Sequence, residues 1–406
     1  MTAVITGIGV VSPAGVGAAE HWVSTLAGRG AIGPIRRFDA SGYPVRLAGE
    51  VTGFTAAGHV PGRVAPQTDH WTHLGLAATG LGLADAGADP AELPPYRMAV
   101  VTASSSGGVE FGQREIQSLW SRGPAHVTAY QSIAWFYAAS TGQISIRYGM
   151  KGACGVLVTE QAGGLDVLAQ ARRLLDDSDA DLVVAGGTDA PLSPYALTCQ
   201  LASGRLSTGT DPASAYLPFD TGAAGYVPGE GGAMFVVESQ AGASGRGART
   251  YGRIAGYAAT FDPPPGSDRP PTLRRAIEGA LADAGAAPDD VDAVFADAAG
   301  VSELDRVESV ALAEVFGGRP VPVTAPKTMT GRLYAGGAAL DVATALLAMR
   351  DSVIPPTVGV SVPAMPDHVR LVRDRPRPAP LRTVLVVARG FGGFNAALVL
   401  RAPDDP

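Results

Sequence analysis

The stretch Val158-Thr159-Glu160-Gln161-Ala162-Gly163-Gly164-Leu165-Asp166 decides the fold. An apolar run precedes it, and leucine and alanine then recur at helical spacing as far as Leu175. This pattern predicts a strand, a sharp turn and a helix N-terminus, which together present one side chain above the helix dipole. A thiol at position 161 would be activated there as a nucleophile, whereas the amide of Gln161 can only donate and accept hydrogen bonds. The pattern therefore indicates an enzyme-like site without its reactive atom.

Length and charge limit the class of protein. With 406 residues, 46% of them hydrophobic, the chain can bury a core large enough for two domain-sized halves. The 31 basic and 38 acidic residues give a net charge of −7, which argues against a nucleic acid or a membrane surface as partner. We expect no leader peptide, because the first residues already have the pattern of a strand, and no apolar run is long enough to span a bilayer.

The cysteine count points to a reducing compartment. Cys154 and Cys199 are too few for a disulfide framework or a four-ligand zinc site, so we expect a cytoplasmic protein. Cys154 is also too far from any histidine in sequence to suggest a displaced nucleophile, and we expect both thiols to be buried and structural.

Two pairs of similar segments within the chain predict an internal duplication. Residues 83–90 resemble residues 281–288, and in both places a helix ends at glycine, a proline follows and a strand comes next, at 98–103 and at 293–296. Residues 163–167 resemble residues 338–342 in the same order. Chance similarity between alanine-rich segments is the alternative. We predict an α/β fold with similar halves at 1–245 and 246–406, and a closing hairpin that turns at 390–393.

Three further segments carry a resemblance to a known family: Pro218-Phe219-Asp220, Gly229-Glu230-Gly231-Gly232 and Lys327-Thr328-Met329-Thr330-Gly331. With the Gln161 segment, they make the chain similar to the thiolase-fold β-ketoacyl synthases. More narrowly, it resembles the chain length factors, or ketosynthase β-subunits, of bacterial type II aromatic polyketide synthases. The likeness runs from Ala3 to Leu400. It implies a thiolase fold with five layers, α/β/α/β/α.

The resemblance also implies that the condensing residues are replaced. Active ketosynthases carry a nucleophilic cysteine at the position of Gln161 and histidines at the positions of Asp297 and Arg332, the second shortly after a lysine that is kept as Lys327. Decarboxylative condensation needs a thiolate to hold the acyl chain and imidazoles to stabilise the developing negative charge. A carboxamide, a carboxylate and a guanidinium do not supply those functions, so we expect no condensation by this chain alone.

The implied function is therefore an auxiliary one. By resemblance, the chain pairs with an active ketosynthase α-subunit as a heterodimer, forms part of the polyketide tunnel and sets the number of extensions. Malonyl and polyketide thioesters would arrive on a phosphopantetheinyl acyl carrier protein, with no metal or other cofactor. Two enzymatic alternatives stay open. Gln161 could assist decarboxylation of a malonyl thioester to supply the starter unit, or the chain could be a self-sufficient thiolase-like acyltransferase.

One predicted helix carries the expected length gate. Its apolar stripe comprises Val109, Gly112, Ile116, Leu119 and Trp120. Close helix packing would explain the glycine, and a wall of the polyketide tunnel is the alternative implied by the resemblance. Because Val109, Gly112 and Ile116 include no aromatic side chain, we predict a long cavity that admits a decaketide or longer.

Three other features have both a structural and a functional interpretation. The aromatic segment around Tyr130, Trp135, Phe136 and Tyr137 fits a core segment or, since interfaces favour aromatic residues, a subunit contact. His70 and His73 share a helical face, but no third metal ligand is indicated, so we predict solvated or core-edge histidines. Residues 7–12 lack the third glycine of a dinucleotide-binding loop, and we predict a tight turn there.

Overall fold

The computed structural model describes residues 2–317, 319–366 and 369–403. Within them, the α-helices are α1 (Ala18–Leu26), α2 (His70–Ala86), α3 (Val109–Arg122), α4 (Gln131–Ala134), α5 (Ala139–Tyr148), α6 (Gly163–Asp176), α7 (Pro194–Leu201), α8 (Gln240–Gly245), α9 (Leu273–Asp283), α10 (Ser302–Phe316) and α11 (Ala335–Asp351). The strands are β1 (Ala3–Ser12), β2 (Gly15–Val16), β3 (Ile32–Pro34), β4 (Leu47–Gly49), β5 (Met98–Ala103), β6 (Cys154–Leu157), β7 (Leu182–Asp189), β8 (Gly231–Ser239), β9 (Gly252–Phe261), β10 (Ala293–Phe295), β11 (Val321–Thr324), β12 (Val353–Ile354), β13 (Val369–Leu371), β14 (Arg377–Pro378), β15 (Thr383–Arg389) and β16 (Phe394–Arg401).

The main sheet repeats one topology in two halves. Its strand order is β13-β11-β10-β15-β16-β9-β1-β8-β7-β5-β6, with β2 also paired to β1. In the first half β5 runs parallel to β6 and β7, and β8 is antiparallel to β7 and β1. In the second half β10 runs parallel to β11 and β15, and β16 is antiparallel to β15 and β9. The matching order confirms the predicted α/β thiolase fold with an internal duplication.

Helices fill the three layers around the two halves of the sheet. α2 and α5 pack on the first half, α9 and α10 lie on the far side of the second, and α6 and α11 lie between them. From Ala335 to Met349 every residue of α11 is buried, as expected for a helix that is apolar on all faces. At Gly164 a Cβ atom would lie 2.5 Å from the carbonyl oxygen of Ala335, so only glycine lets the two central helices touch. The second pair of similar segments, residues 163–167 and 338–342, thus lies in the two central helices.

The first pair of similar segments, residues 83–90 and 281–288, lies at the ends of the outer helices α2 and α9. α2 ends at Gly87 with φ 59°, and the turn after α9 contains Gly285 with φ 58°. Strands β5 and β10 follow, as predicted. The closing hairpin is confirmed too, since β15 and β16 pair across a turn in which Gly392 and Gly393 have positive φ.

The expected turn at residues 7–12 is wrong, because these residues belong to the buried strand β1. Helix α2 lies so close that a Cβ at Gly7 would be 2.2 Å from the Gly82 carbonyl oxygen, and one at Gly9 would be 1.8 Å from that of Ala78. The glycines serve helix-to-strand contact.

One hydrophobic cluster joins both halves. It contains side chains of β1, β7, β15 and β16 together with the central helices α6 and α11. The boundary placed between residues 245 and 246 falls directly after α8 and stays a prediction.

Candidate functional site

The elbow at Gln161 has the predicted form. Strand β6 leads into a 3₁₀ turn, Glu160–Ala162, and α6 begins at Gly163. Glu160 has φ 51°, a left-handed conformation that costs energy for a residue with a side chain. Such strained turns hold a side chain at a strand-to-helix junction, as a nucleophile position requires.

Gln161 faces a closed space within the protein. Its side chain is fully buried, and among the described residues neither atom of its amide has a hydrogen-bond partner. The adjoining cavity measures about 10 Å³, and residues that line it include Lys327, Asp341 and His21. A Cβ at Gly337 would lie 3.0 Å from Gln161 Nε2, so the amide packs directly on that helix backbone. In this conformation the amide has no room for a thioester.

Asp297 and Arg332 form a buried ion pair. Arg332 Nη2 lies 2.9 Å from Asp297 Oδ1 and 3.0 Å from Oδ2, and the two side chains are 7% and 1% exposed. Arg332 also donates to the main-chain oxygens of Asp297, at 3.0 Å, and Arg389, at 2.7 Å. The amide of Arg389 donates to Asp297 Oδ1 at 2.8 Å. The two positions thus hold charges committed to each other, and neither offers an imidazole-like proton donor.

Lys327 is equally committed. Its Nζ donates to the main-chain oxygens of Ala296 and Asp297, at 2.7 and 2.9 Å, and lies 2.6 Å from Asp341 Oδ2. Burial raises the pKa of Asp341 to about 6, and the lysine charge opposes that rise. The lysine therefore ties the strand end at Asp297 to the central helix α11.

Two larger cavities flank the elbow. One of about 330 Å³ is lined by residues that include Asp297, Arg332 and Arg389. The other, of about 620 Å³, is lined by residues that include Ser105, Val109, Trp135, Tyr137 and Cys199. Gln161 is not among the described residues that line either of them.

Glu160 and Phe391 border both cavities, and sequence reasoning missed both residues. The amide of Phe391 donates to Glu160 Oε2 at 2.6 Å, and Arg205 stacks on the Phe391 ring at 4.8 Å. Burial raises the pKa of the Glu160 carboxyl, while Arg332 opposes the rise. The glycines around Phe391 were the available sequence signal, but the proximity of Phe391 to Glu160 arises only in the fold.

The predicted gate stripe divides among three environments. Val109 lines the 620 Å³ cavity, whereas Gly112 is covered by Trp135, whose Cδ1 would lie 3.0 Å from a Cβ at that glycine. Ile116, Leu119 and Trp120 lie on the surface, 50%, 37% and 82% exposed. Phe111 and Gly112, rather than the whole stripe, form the buried part of α3. Helix packing thus accounts for the glycine.

The aromatic segment is a surface and not a core. Tyr130, Trp135, Phe136 and Tyr137 are 38%, 52%, 56% and 36% exposed. The core interpretation is therefore wrong for these side chains, because α3 and α4 pack mainly on each other and on neighbouring helices and not on the sheet. The expectation of buried cysteines is also wrong, since both Cys154 and Cys199 are exposed free thiols.

The histidine pair is held by ordinary contacts. His73 Nε2 lies 3.0 Å from Thr68 Oγ1 and 3.1 Å from the Ala65 oxygen, and His70 Nε2 lies 3.4 Å from Glu230 Oε2. Within the described part of the chain no group of three potential ligands is placed to hold a metal ion. None of the helices in that part combines the length and apolarity needed to cross a bilayer.

The comparisons with known proteins agree with this geometry. The family model for the beta-ketoacyl synthase N-terminal domain matches residues 2–243, and the model for the C-terminal domain matches residues 251–361. The chain is 59% identical to the tetracenomycin polyketide synthase ketoacyl synthase beta subunit of Streptomyces glaucescens, over 98% of each chain. It is 55% identical to the actinorhodin polyketide putative beta-ketoacyl synthase 2 of Streptomyces coelicolor, over 99% of this chain and 98% of that one.

A solved structure extends the likeness to the coordinates. The ishigamide ketosynthase/chain length factor superposes with a TM-score of 0.91 and 26% identity, over 99% of each chain. The duplicated fold, the family models and the sequence relatives point the same way. The chain belongs to the beta-ketoacyl synthase family and, within it, to the ketosynthase beta subunits, or chain length factors, of type II polyketide synthases.

Proposed function

We propose that this chain pairs with an active ketosynthase α-subunit and sets the length of the poly-β-ketone that the pair makes. The observation that carries the proposal is the pairing of Asp297 with Arg332 beside a fully buried Gln161. Condensation needs a nucleophile to hold the acyl chain and free hydrogen-bond donors for the developing charge. Because these side chains are occupied with each other or enclosed, the carbon–carbon bond must form in the partner.

An exposed edge and an aromatic surface support the pairing. Strand β6 ends the main sheet, its Cys154 is exposed, and Ile146 and Val158 nearby are 75% and 46% exposed. Trp135 and Phe136 of the α4 region add further apolar area. Interface cores favour aromatic side chains, and an open strand edge is a template for pairing with another chain. We place the α-subunit across these two features.

The 620 Å³ cavity supports the role in chain length. Its wall includes Val109 and, from the aromatic surface, Trp135 and Tyr137, so a partner bound there would close it. A growing chain stops when its leading end meets a wall, because forcing it further costs about 1–3 kcal/mol of overpacking for each misfit group. Val109 is a small wall residue, which favours a decaketide or longer product. Malonyl and polyketide thioesters would be delivered to the pair by an acyl carrier protein.

Decarboxylation of a malonyl thioester by Gln161 is the second candidate. It draws on the unpartnered amide, which has hydrogen-bonding capacity to offer a substrate carbonyl. The cavity of about 10 Å³ beside that amide means that the elbow and α11 would first have to separate. The length-setting role requires no such rearrangement and is the one we favour.

Reconstitution with the α-subunit, acyl carrier protein and malonyl thioester tests the proposal. Val109→Phe should shorten the main product, because the ring enters the cavity, whereas Gln117→Phe on the exposed side of α3 should leave the length unchanged. The purified chain alone should make no polyketide. An unaltered product length in a fully active Val109→Phe complex would refute the wall assignment, and condensation by the isolated chain would refute the auxiliary role.

A further inference from the structure

Helix α3 begins without a capping side chain of its own. Its N-cap residue is Gly108, which has no side chain to accept a hydrogen bond from the first turn. The first N–H groups of a helix have no partner within the helix and must find one elsewhere. The position of α3, and of Val109 at its start, therefore depends on groups outside the helix.

Asp69 supplies one such group. Its Oδ1 accepts from the amide of Trp71 at 3.1 Å, which caps α2, and its Oδ2 accepts from the amide of Phe111 at 2.7 Å, in the first turn of α3. The carboxylate is 1% exposed. A single buried carboxylate thus caps two helices at once, where both helix dipoles favour negative charge.

Asp189 holds the segment that leads into α3. It ends β7 and is fully buried, and it accepts from Ser104 Oγ at 2.8 Å and from the amides of Ser105 and Ser106, each at 3.1 Å. It also accepts from the amide of Ala335 at 3.1 Å, at the start of α11. The segment it holds connects β5 to α3, and Ser105 and Ser106 line the 620 Å³ cavity beside Val109.

We propose that Asp69 and Asp189 are positioning residues that hold the start of α3 against α2 and β7, and so determine how sharply the cavity selects one product length. The inference rests on the proposed length-setting function. Asp69 binds the first turn of α3 and Asp189 binds the segment that leads into it, and only Phe111 and Gly112 of α3 are buried. Loss of either carboxylate should let Val109 occupy several positions.

Asp69→Ser separates the two duties of Asp69. Serine remains a good N-cap for Trp71, so α2 stays capped, but its shorter side chain does not reach the Phe111 amide. Asp305→Ser is the matched control. Asp305 is also buried and accepts from two backbone amides, Phe219 at 2.9 Å and Gly300 at 3.0 Å, both outside α3.

Two readouts test the inference in the complex with the α-subunit. For Asp69→Ser we expect roughly tenfold faster hydrogen exchange at the Phe111 amide and a product mixture of two or more lengths, while Asp305→Ser keeps one length. Asp189→Ala should broaden the products in the same way, because it removes the oxygen that accepts from Ser104 Oγ and from the amides of Ser105 and Ser106. General destabilisation lowers total yield but does not spread product length, so the distribution separates the two roles.

The outcomes also separate this inference from the function beneath it. If Val109→Phe shortens the product while Asp69→Ser and Asp189→Ala leave a single length, the positioning role is wrong and the length-setting function stands. A faster-exchanging Phe111 amide with an unchanged product would equally overturn it. If Val109→Phe also has no effect, the proposed function itself fails.

Discussion

Replacing Arg332 by methionine should destabilise the chain strongly, because it leaves a carboxylate buried without its counter-charge. Arg332 Nη2 contacts both oxygens of Asp297, at 2.9 and 3.0 Å, and the same guanidinium donates to two main-chain oxygens. Removing one partner of a buried ion pair costs about 3–5 kcal/mol, well above the 0–1 kcal/mol typical of an exposed pair. The side chains are 7% and 1% exposed, which places this pair in the first class.

A double-mutant cycle isolates the pair. In the parent chain the amide of Arg389 donates to Asp297 Oδ1 at 2.8 Å. Asp297→Asn keeps an oxygen that can accept this hydrogen bond but removes the negative charge. In the Arg332→Met background this second change should recover at least about 2 kcal/mol, since the unpaired charge is gone.

Urea unfolding followed by circular dichroism measures each variant at neutral pH. A loss below about 1 kcal/mol for Arg332→Met, or additive effects in the double variant, would refute the reasoning. Strong coupling would indicate that Asp297 and Arg332 serve the stability of the fold. Restoring a cysteine at position 161 alone would then not restore condensation.

Three further predictions concern buried or exposed single groups. Burial lowers the pKa of His21 from 6.5 to about 4, so its stabilising contribution is present at neutral pH and is lost as the pH falls from about 6.5 towards 4. Between pH 7 and pH 4, His21→Gln should therefore lose about 3 kcal/mol less of its free energy of unfolding than the parent chain does. Urea unfolding measures this loss, and parallel pH profiles of the two chains would contradict the prediction. In folded Gln161→Cys, maleimide should label Cys154 and Cys199, which are exposed, and should not label the buried position 161. Peptide mass spectrometry identifies the labelled positions, and a reaction at position 161 would show that the elbow opens. Binding of the α-subunit should protect Cys154 at the edge of β6, and undiminished labelling in the complex would move the contact elsewhere.

Local patterns predicted much of the architecture. The elbow at Gln161, the glycine-terminated outer helices and the closing hairpin each follow from residues within one or two turns of the chain. Helical spacing, a glycine with positive φ and a bounding proline act over such short distances, so they can be seen without the fold. The loss of the nucleophile was likewise a matter of identity at one position.

Contacts between distant segments could not be predicted in this way. The glycines at 7 and 9 indicated a turn, whereas they allow helix α2 to lie against strand β1. The aromatic segment at 130–137 fitted either a core or a subunit contact, and only the structure shows its side chains exposed. Burial depends on which elements pack above a residue, and sequence spacing alone carries no such information.

The sequence by itself determined the duplicated thiolase-type fold and the carboxamide, which is no nucleophile, at the elbow. Only the tertiary structure decided what Gln161, Asp297 and Arg332 contact. Asp297 forms an ion pair with Arg332, the side chain of Gln161 points into a closed space, and Asp69 accepts a hydrogen bond from the amide of Phe111. The physical reason is that a buried charge is stabilised by the partner that the fold brings near, however distant in the chain, and sequence spacing does not show which partner that is.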